Sequence, residues 1–132
     1  MPFPTAFKGE WHGWHLVASV LQASLAAIFF ATGIGTIAEI PAAADSVDQV
    51  GLGGGFRLLV GAVEVVGAAL ISLPNVAVLG ALWLAIAMGF AVLTHVYVLE
   101  DSPVRAVLLL IASLLVALLR REQLSWLRAR LL

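Results

Sequence analysis

The sequence contains no cysteine. That absence excludes disulfides, thiolate nucleophiles, CxxC redox pairs and cysteine-ligated iron–sulfur clusters together. Charge is the second scarcity. Only 11% of the 132 residues are charged while 62% are hydrophobic, with a mean hydropathy of +1.07, against about 25% charged and 45–50% apolar in ordinary soluble domains. So few charges cannot cover a water-facing surface, and the excess apolar area must face lipid. A net charge of −1 also leaves no concentrated basic face for a nucleic acid. Enzyme signatures are missing too: the chain has no GxSxG, no HExxH, no dinucleotide fingerprint and no paired carboxylates within one apolar run. The triplet Gly53-Gly54-Gly55 is no phosphate loop, because the lysine and hydroxyl of GxxxxGK[ST] do not follow it.

What the chain does have is four apolar runs. They predict an all-α fold, a single membrane domain built as a four-transmembrane-helix bundle with spans over residues 15–38, 56–73, 76–99 and 104–119; about 20 apolar residues cross a hydrocarbon core of about 30 Å. Ala42-Ala43-Ala44 resembles a signal-peptide cleavage site, but the first run far exceeds a usual h-region of about 7–15 residues. Residues 1–14 read as a short interfacial arm, and Trp11, His12, Trp14 and His15 cluster at its junction with the first run, at the headgroup level. The two histidines lie three apart, yet no carboxylate or third histidine is near in sequence, so no metal site is expected.

Pro41 and the residues to Val50 suit a brief surface helix ended by Gly51, within an acidic loop. Pro74-Asn75 marks a tight turn, making the second and third spans an antiparallel hairpin. Pro103 fits the first turn of the fourth, shorter span. The tail RREQLSWLRARLL alternates arginine with leucine around Trp126. That pattern suits an amphipathic helix lying on an anionic membrane surface, or a helical continuation of the fourth span. Lys8, Arg120, Arg121, Arg128 and Arg130 fall in the terminal segments, whereas the opposite loops hold only Arg57 and Arg105 among acids. The positive-inside rule then places both termini in the cytoplasm, with the chain multi-pass in the cell (inner) membrane.

One carboxyl group stands out. Glu64 lies mid-span, where an ionisable side chain costs roughly 3 kcal/mol or more unless it is paired, hydrated or protonated. Arg57 lies two turns earlier on the same face, about 10 Å along the axis. His95, on the antiparallel third span, falls at a depth between them, and Thr32, Thr36 and Thr94 occupy the same half. Gln22, Phe29 and Thr36 recur every seven residues along the first span, which suits either inter-helix hydrogen bonding or one wall of a cavity. Ala81, Leu84, Met88, Ala91 and His95 share a face of the third. Two readings follow from the same atoms. The cluster is a polar clasp that fixes the packing, or it is a pocket for a lipophile with a polar end, such as a quinone. Arg57, Glu64, His95, Thr32 and Thr36 are the candidate binding residues, with Arg57 anchoring the network.

Arg57, Gly61, Glu64, Gly67, Pro74 and His95, together with Thr32-Gly33-Ile34-Gly35 near the end of the first span, resemble the DoxX-like integral membrane protein family over residues 16–121. The pattern departs from the family at two points: one extra residue separates Arg57 from Gly61, and Thr36-Ile37 stand where a basic residue usually follows the glycine. The resemblance implies a four-helix membrane bundle, with members associated with a thiosulfate:quinone oxidoreductase, other membrane oxidoreductase complexes or chaperone-like roles. The expectation is a small membrane subunit that binds a quinone or similar lipophile and docks a redox complex; catalysis by the chain itself is left open. The alternative is a non-catalytic scaffold or assembly factor whose polar cluster is structural. A small proton-coupled exporter, the third class, carries its key carboxylate in the first span among aromatics, whereas here that run holds no charge before Glu39.

Overall fold

The structure is a computed structural model that describes the backbone from Thr5 and the side chains from Gly13 onward. Among the described residues the chain forms six helices and no strands: α1 (Thr5–Ile37), α2 (Pro41–Gln49), α3 (Gly54–Ser72), α4 (Ala77–Tyr97), α5 (Val104–Leu119) and α6 (Glu122–Leu131). Three helical segments, Gly13–Ile37, Gly54–Ser72 and Ala77–Tyr97, are long and apolar enough to cross a membrane, and Val104–Leu119 is a shorter apolar helix. The expected N-terminal arm is largely the first turns of α1. The side chains of Trp11 and His12 lie outside the described residues.

Local chemistry sets the boundaries. Glu39 and Glu100, past the ends of α1 and α4, and Asn75, in the α3–α4 turn, hold φ of 63°, 52° and 66°. A left-handed residue there reverses the chain, and asparagine tolerates it best. Gly51 and Gly53, with φ of 82° and 85°, turn the chain from α2 into α3, a conformation that suits glycine. The tail is not a continuation of α5. Arg120 leaves the helix, and Gln123 of α6 accepts a 3.0 Å hydrogen bond from the Val78 N–H at the start of α4.

Four helices close into a ring, α1 on α3, α3 on α4, α4 on α5 and α5 back on α1. The core draws on every member of it, with Leu25 and Phe29, Ala68 and Ile71, Leu84 and Met88, and Val116 packed together. The face that Ala81, Leu84, Met88 and Ala91 share on α4 lies inside: Ala81 and Leu84 are fully buried, and Ala91 packs against the core. Large apolar side chains such as Leu58, Ile86, Phe90, Leu108 and Ile111 point outward, where acyl chains rather than water suit them.

The two ends of the ring differ. At the α6 end, Arg120 donates to Gln22 Oε1 (3.2 Å) and Ser19 Oγ (3.0 Å) and meets His15 Nδ1 (3.1 Å), while Gln22 Nε2 donates to the Ile71 carbonyl at 2.6 Å. One arginine thus ties α5 to α1, and one glutamine ties α1 to the end of α3. The other end is roofed by α2.

Candidate functional site

Thr36 begins the site. It is 2% exposed, and its hydroxyl bonds the Thr32 carbonyl at 2.8 Å and the Ala43 carbonyl of α2 at 3.3 Å. Gly35 beside it is needed for the same approach, since a Cβ there would stand 3.0 Å from that of Ala43. Alanines and Val47 on one face of α2 look down into the bundle, while Asp45 and Asp48 look out. Beneath α2 lies a cavity of about 500 Å³ walled by α1, α3, α4 and α5. Ligand sites commonly span about 300–1,000 Å³ with a few placed polar groups in an apolar lining. Phe56, Val60, Val63, Met88 and Leu109 supply apolar wall here.

Apart from Ser46 of α2 at the edge, the polar lining comes from four helices. Thr32 and Thr36 belong to α1, Glu64 to α3, Thr94 and His95 to α4, and Arg105 to α5. Glu64 reaches the cavity because α1 and α3 cross backbone to backbone. A methyl group on Gly33 would lie 2.9 Å from the Gly61 carbonyl and 3.1 Å from Glu64 Cβ. The glycine pair therefore sets Glu64 against Thr32. Thr32 and the Arg105 guanidinium act on its carboxyl group, yet Glu64 Oε2 is buried with no hydrogen-bond partner. An unsatisfied buried oxygen costs about 1–3 kcal/mol, and the carboxyl group that carries it lines the cavity, where a bound group with a proton to share would meet it.

His95 is held from outside the cavity. Its Nδ1 lies 2.6 Å from Asp101 Oδ1, in the turn after α4, and the Asp101 N–H bonds the His95 carbonyl at 3.0 Å. It lines the same cavity as Glu64 but has no hydrogen bond to that residue or to Arg57, so it does not join the two.

Arg57 is the clear correction. Its guanidinium does not enter the cavity; Nη2 pairs with Glu39 and Nη1 with Asp48, each at 2.8 Å. The reason is the 10 Å or so of helix between Arg57 and Glu64, and the two solvated acids at the helix end. A long cationic side chain near the end of a span turns towards the interface when partners wait there. Instead of anchoring the buried network, Arg57 fastens the α2 roof to α3.

Arg105 takes the cavity position that Arg57 was expected to hold. In sequence it entered only the count of loop charges, although its place two residues after Pro103 puts it in the first turn of α5. What raises it to the cavity is the ring closing α5 against both α1 and α4, a long-range event without a local signature. The face of Gln22, Phe29 and Thr36 divides along its length: Gln22 joins the clasp at one end, Phe29 fills the core and Thr36 lines the cavity.

Residues 20–119 match the model of the DoxX-like family, which is most of the chain and contains α2 to α5 and α1 from Val20 onward. The chain belongs to the DoxX-like family. It is accordingly an integral membrane protein, its outward apolar faces in contact with lipid. The matched span takes in Gly33, Gly61, Glu64 and His95, so the crossing and the cavity are features of the part this protein shares with DoxX-like relatives. No curated protein and no solved structure matches the chain.

Proposed function

We propose that this DoxX-like protein binds a lipophile with a polar head, a quinone being the leading candidate, in the cavity beneath α2, and serves as a small subunit of a membrane redox complex. In this reading α5 is a fourth span and both termini are cytoplasmic in the cell's inner membrane, with α2 on the outer side. Thr32, Thr36, Glu64, His95 and Arg105 surround the head, and apolar side chains take the ring and tail. The observation that carries it is the Glu64 carboxyl group, set in the polar patch of an otherwise apolar cavity and with one oxygen, Oε2, left without a partner in the protein.

The same atom separates this reading from a purely structural clasp. A clasp satisfies its members, as Arg120 and Gln22 do at the α6 end; the Glu64 carboxyl keeps one oxygen unpaired. A scaffold or assembly role remains the second reading, and it finds support in that Arg120 clasp, which holds the ring without help from Glu64.

The test is native mass spectrometry of the protein from mild detergent, with and without added quinone. A quinone adduct is expected on the wild type and not on Ala91→Trp, which fills the cavity. If neither a native lipophile nor added quinone binds, the reading falls. Stoichiometric co-purification with a membrane oxidoreductase would support the subunit role.

A further inference from the structure

The polar groups around the cavity differ in what they have left to offer. A threonine hydroxyl has one proton to donate and two lone pairs to accept with. Thr36 gives its proton to the carbonyls of Thr32 and Ala43, and Thr94 gives its proton to the Phe90 carbonyl at 2.8 Å. The Thr32 proton has two claimants, the Phe29 carbonyl at 3.4 Å and the Glu64 carboxyl; either way it stays within the protein. All three hydroxyls therefore face the cavity as acceptors.

His95 adds a fourth acceptor through Asp101. A carboxylate only accepts, so the 2.6 Å contact requires the proton to sit on His95 Nδ1. In the neutral ring, Nε2 is then left with its lone pair open, the arrangement by which a carboxylate orients a proton-accepting histidine. The Glu64 carboxyl, which has one oxygen without a partner, is the fifth in its ionised form. The donors that remain, Ser46 on α2 and Arg105 on α5, are both exposed at the cavity's edge. With Glu64 ionised and His95 neutral, the interior asks for hydrogen atoms and offers almost none.

We infer that the cavity selects a lipophile whose head carries hydrogen-bond donors, a hydroquinone or a phenol, over the donor-free quinone or ether of the same shape, and that Asp101 sets this preference by fixing the His95 tautomer. This rests on the lipophile-binding reading above and specifies its ligand. A quinone presents two carbonyl oxygens, which accept only; against the Glu64 carboxylate and His95 Nε2 they would set acceptor to acceptor. A hydroquinone presents two O–H groups to the same atoms. Asp101 is a positioning residue, acting through His95.

The experiment measures binding of a short-chain benzoquinone, its hydroquinone and the hydroquinone dimethyl ether to the purified full chain in nanodiscs, under anaerobic reducing conditions for the reduced form. The chain has no cysteine for the reductant to alter. The hydroquinone is expected to bind about tenfold more tightly than the quinone, the size of two ordinary net hydrogen bonds, with the ether weaker than both. In Asp101→Asn the amide can donate to Nδ1 and move the ring proton to Nε2, so the preference should shrink towards unity or reverse. A role in folding alone would weaken both ligands equally and leave the ratio unchanged. Glu64→Gln, which exchanges one acceptor oxygen for a donor, should lower the ratio independently. Equal or tighter binding of the quinone to the wild type, or an unchanged ratio in both variants, overturns the inference and leaves the lipophile site standing. Binding of none of the three ligands overturns both.

Discussion

Gly33 of α1 and Gly61 of α3 face each other so closely that a methyl group on either would lie 2.9 Å from the carbonyl oxygen of the other. The contact is reciprocal, backbone against backbone, with Val65 and Ile37 side chains crowding the same space. It fixes the depth at which α1 and α3 meet, and with it the placing of Thr32 beside Glu64. Small residues at crossings of this kind are how membrane helices gain packing when lipid supplies no hydrophobic drive between them.

Gly61→Val should therefore be strongly destabilising, because its side chain would meet both Ile37 and the Gly33 carbonyl. Overpacking of this sort costs about 1–3 kcal/mol, and more where only backbone can move. Gly89→Ala is the control. A Cβ there meets nothing within 4 Å, and alanine in a helix interior is favoured over glycine by roughly 0.5–1 kcal/mol. Thermal unfolding in detergent should show a lower Tm for the first variant and an equal or higher Tm for the second.

Arg57 should act on access and not on the fold. Its partners are well exposed, at 68% for the Glu39 side chain and 44% for that of Asp48, and exposed ion pairs contribute about 0–1 kcal/mol each. Arg57→Gln should leave the Tm within a few degrees of wild type. It should instead raise the maleimide-labelling rate of a reporter Ala43→Cys, which lines the cavity from α2. High salt should raise the same rate in the wild type by screening the pairs, and have less effect once Arg57 is replaced. Equal labelling in all conditions would show that the roof is held by packing alone.

Arg120 should behave in the opposite way. Arg120→Ala leaves Gln22 and Ser19 without the donor that joins α5 to α1, and hydrogen bonds to a charged group are worth about 1.5–3 kcal/mol. A lowered Tm is expected, with ligand affinity at the distant cavity kept in the protein that remains folded. Arg120→Lys should rescue poorly, because one ammonium cannot reproduce a planar fork that reaches several partners at once.

The proposed topology is tested by two single cysteines in a chain that otherwise has none. A membrane-impermeant maleimide on intact cells should label Asp45→Cys in α2 and reach Arg128→Cys in α6 only after permeabilisation. The reverse pattern would invert the orientation. Labelling of both from one side would mean that α5 does not cross.

The sequence alone determined that the chain lives in lipid, where its apolar helices run and where they turn, because these follow from composition and from chemistry within a few residues. The 104–119 helix, the brief helix after Pro41 and the reversal at Asn75 are all local in this sense. Glu64, Thr32, Thr36 and His95 could be read as one polar neighbourhood, since helical period and antiparallel pairing fix depth and face. Which of two arginines would lie near that carboxyl was decided only by tertiary structure. Arg57 is closer along the chain but finds Glu39 and Asp48 at the interface; Arg105 is 41 residues from Glu64 in number and reaches the cavity because α5 closes the ring. Charge pairing depends on distance through space and on competing partners, and neither is encoded in spacing along a single helix.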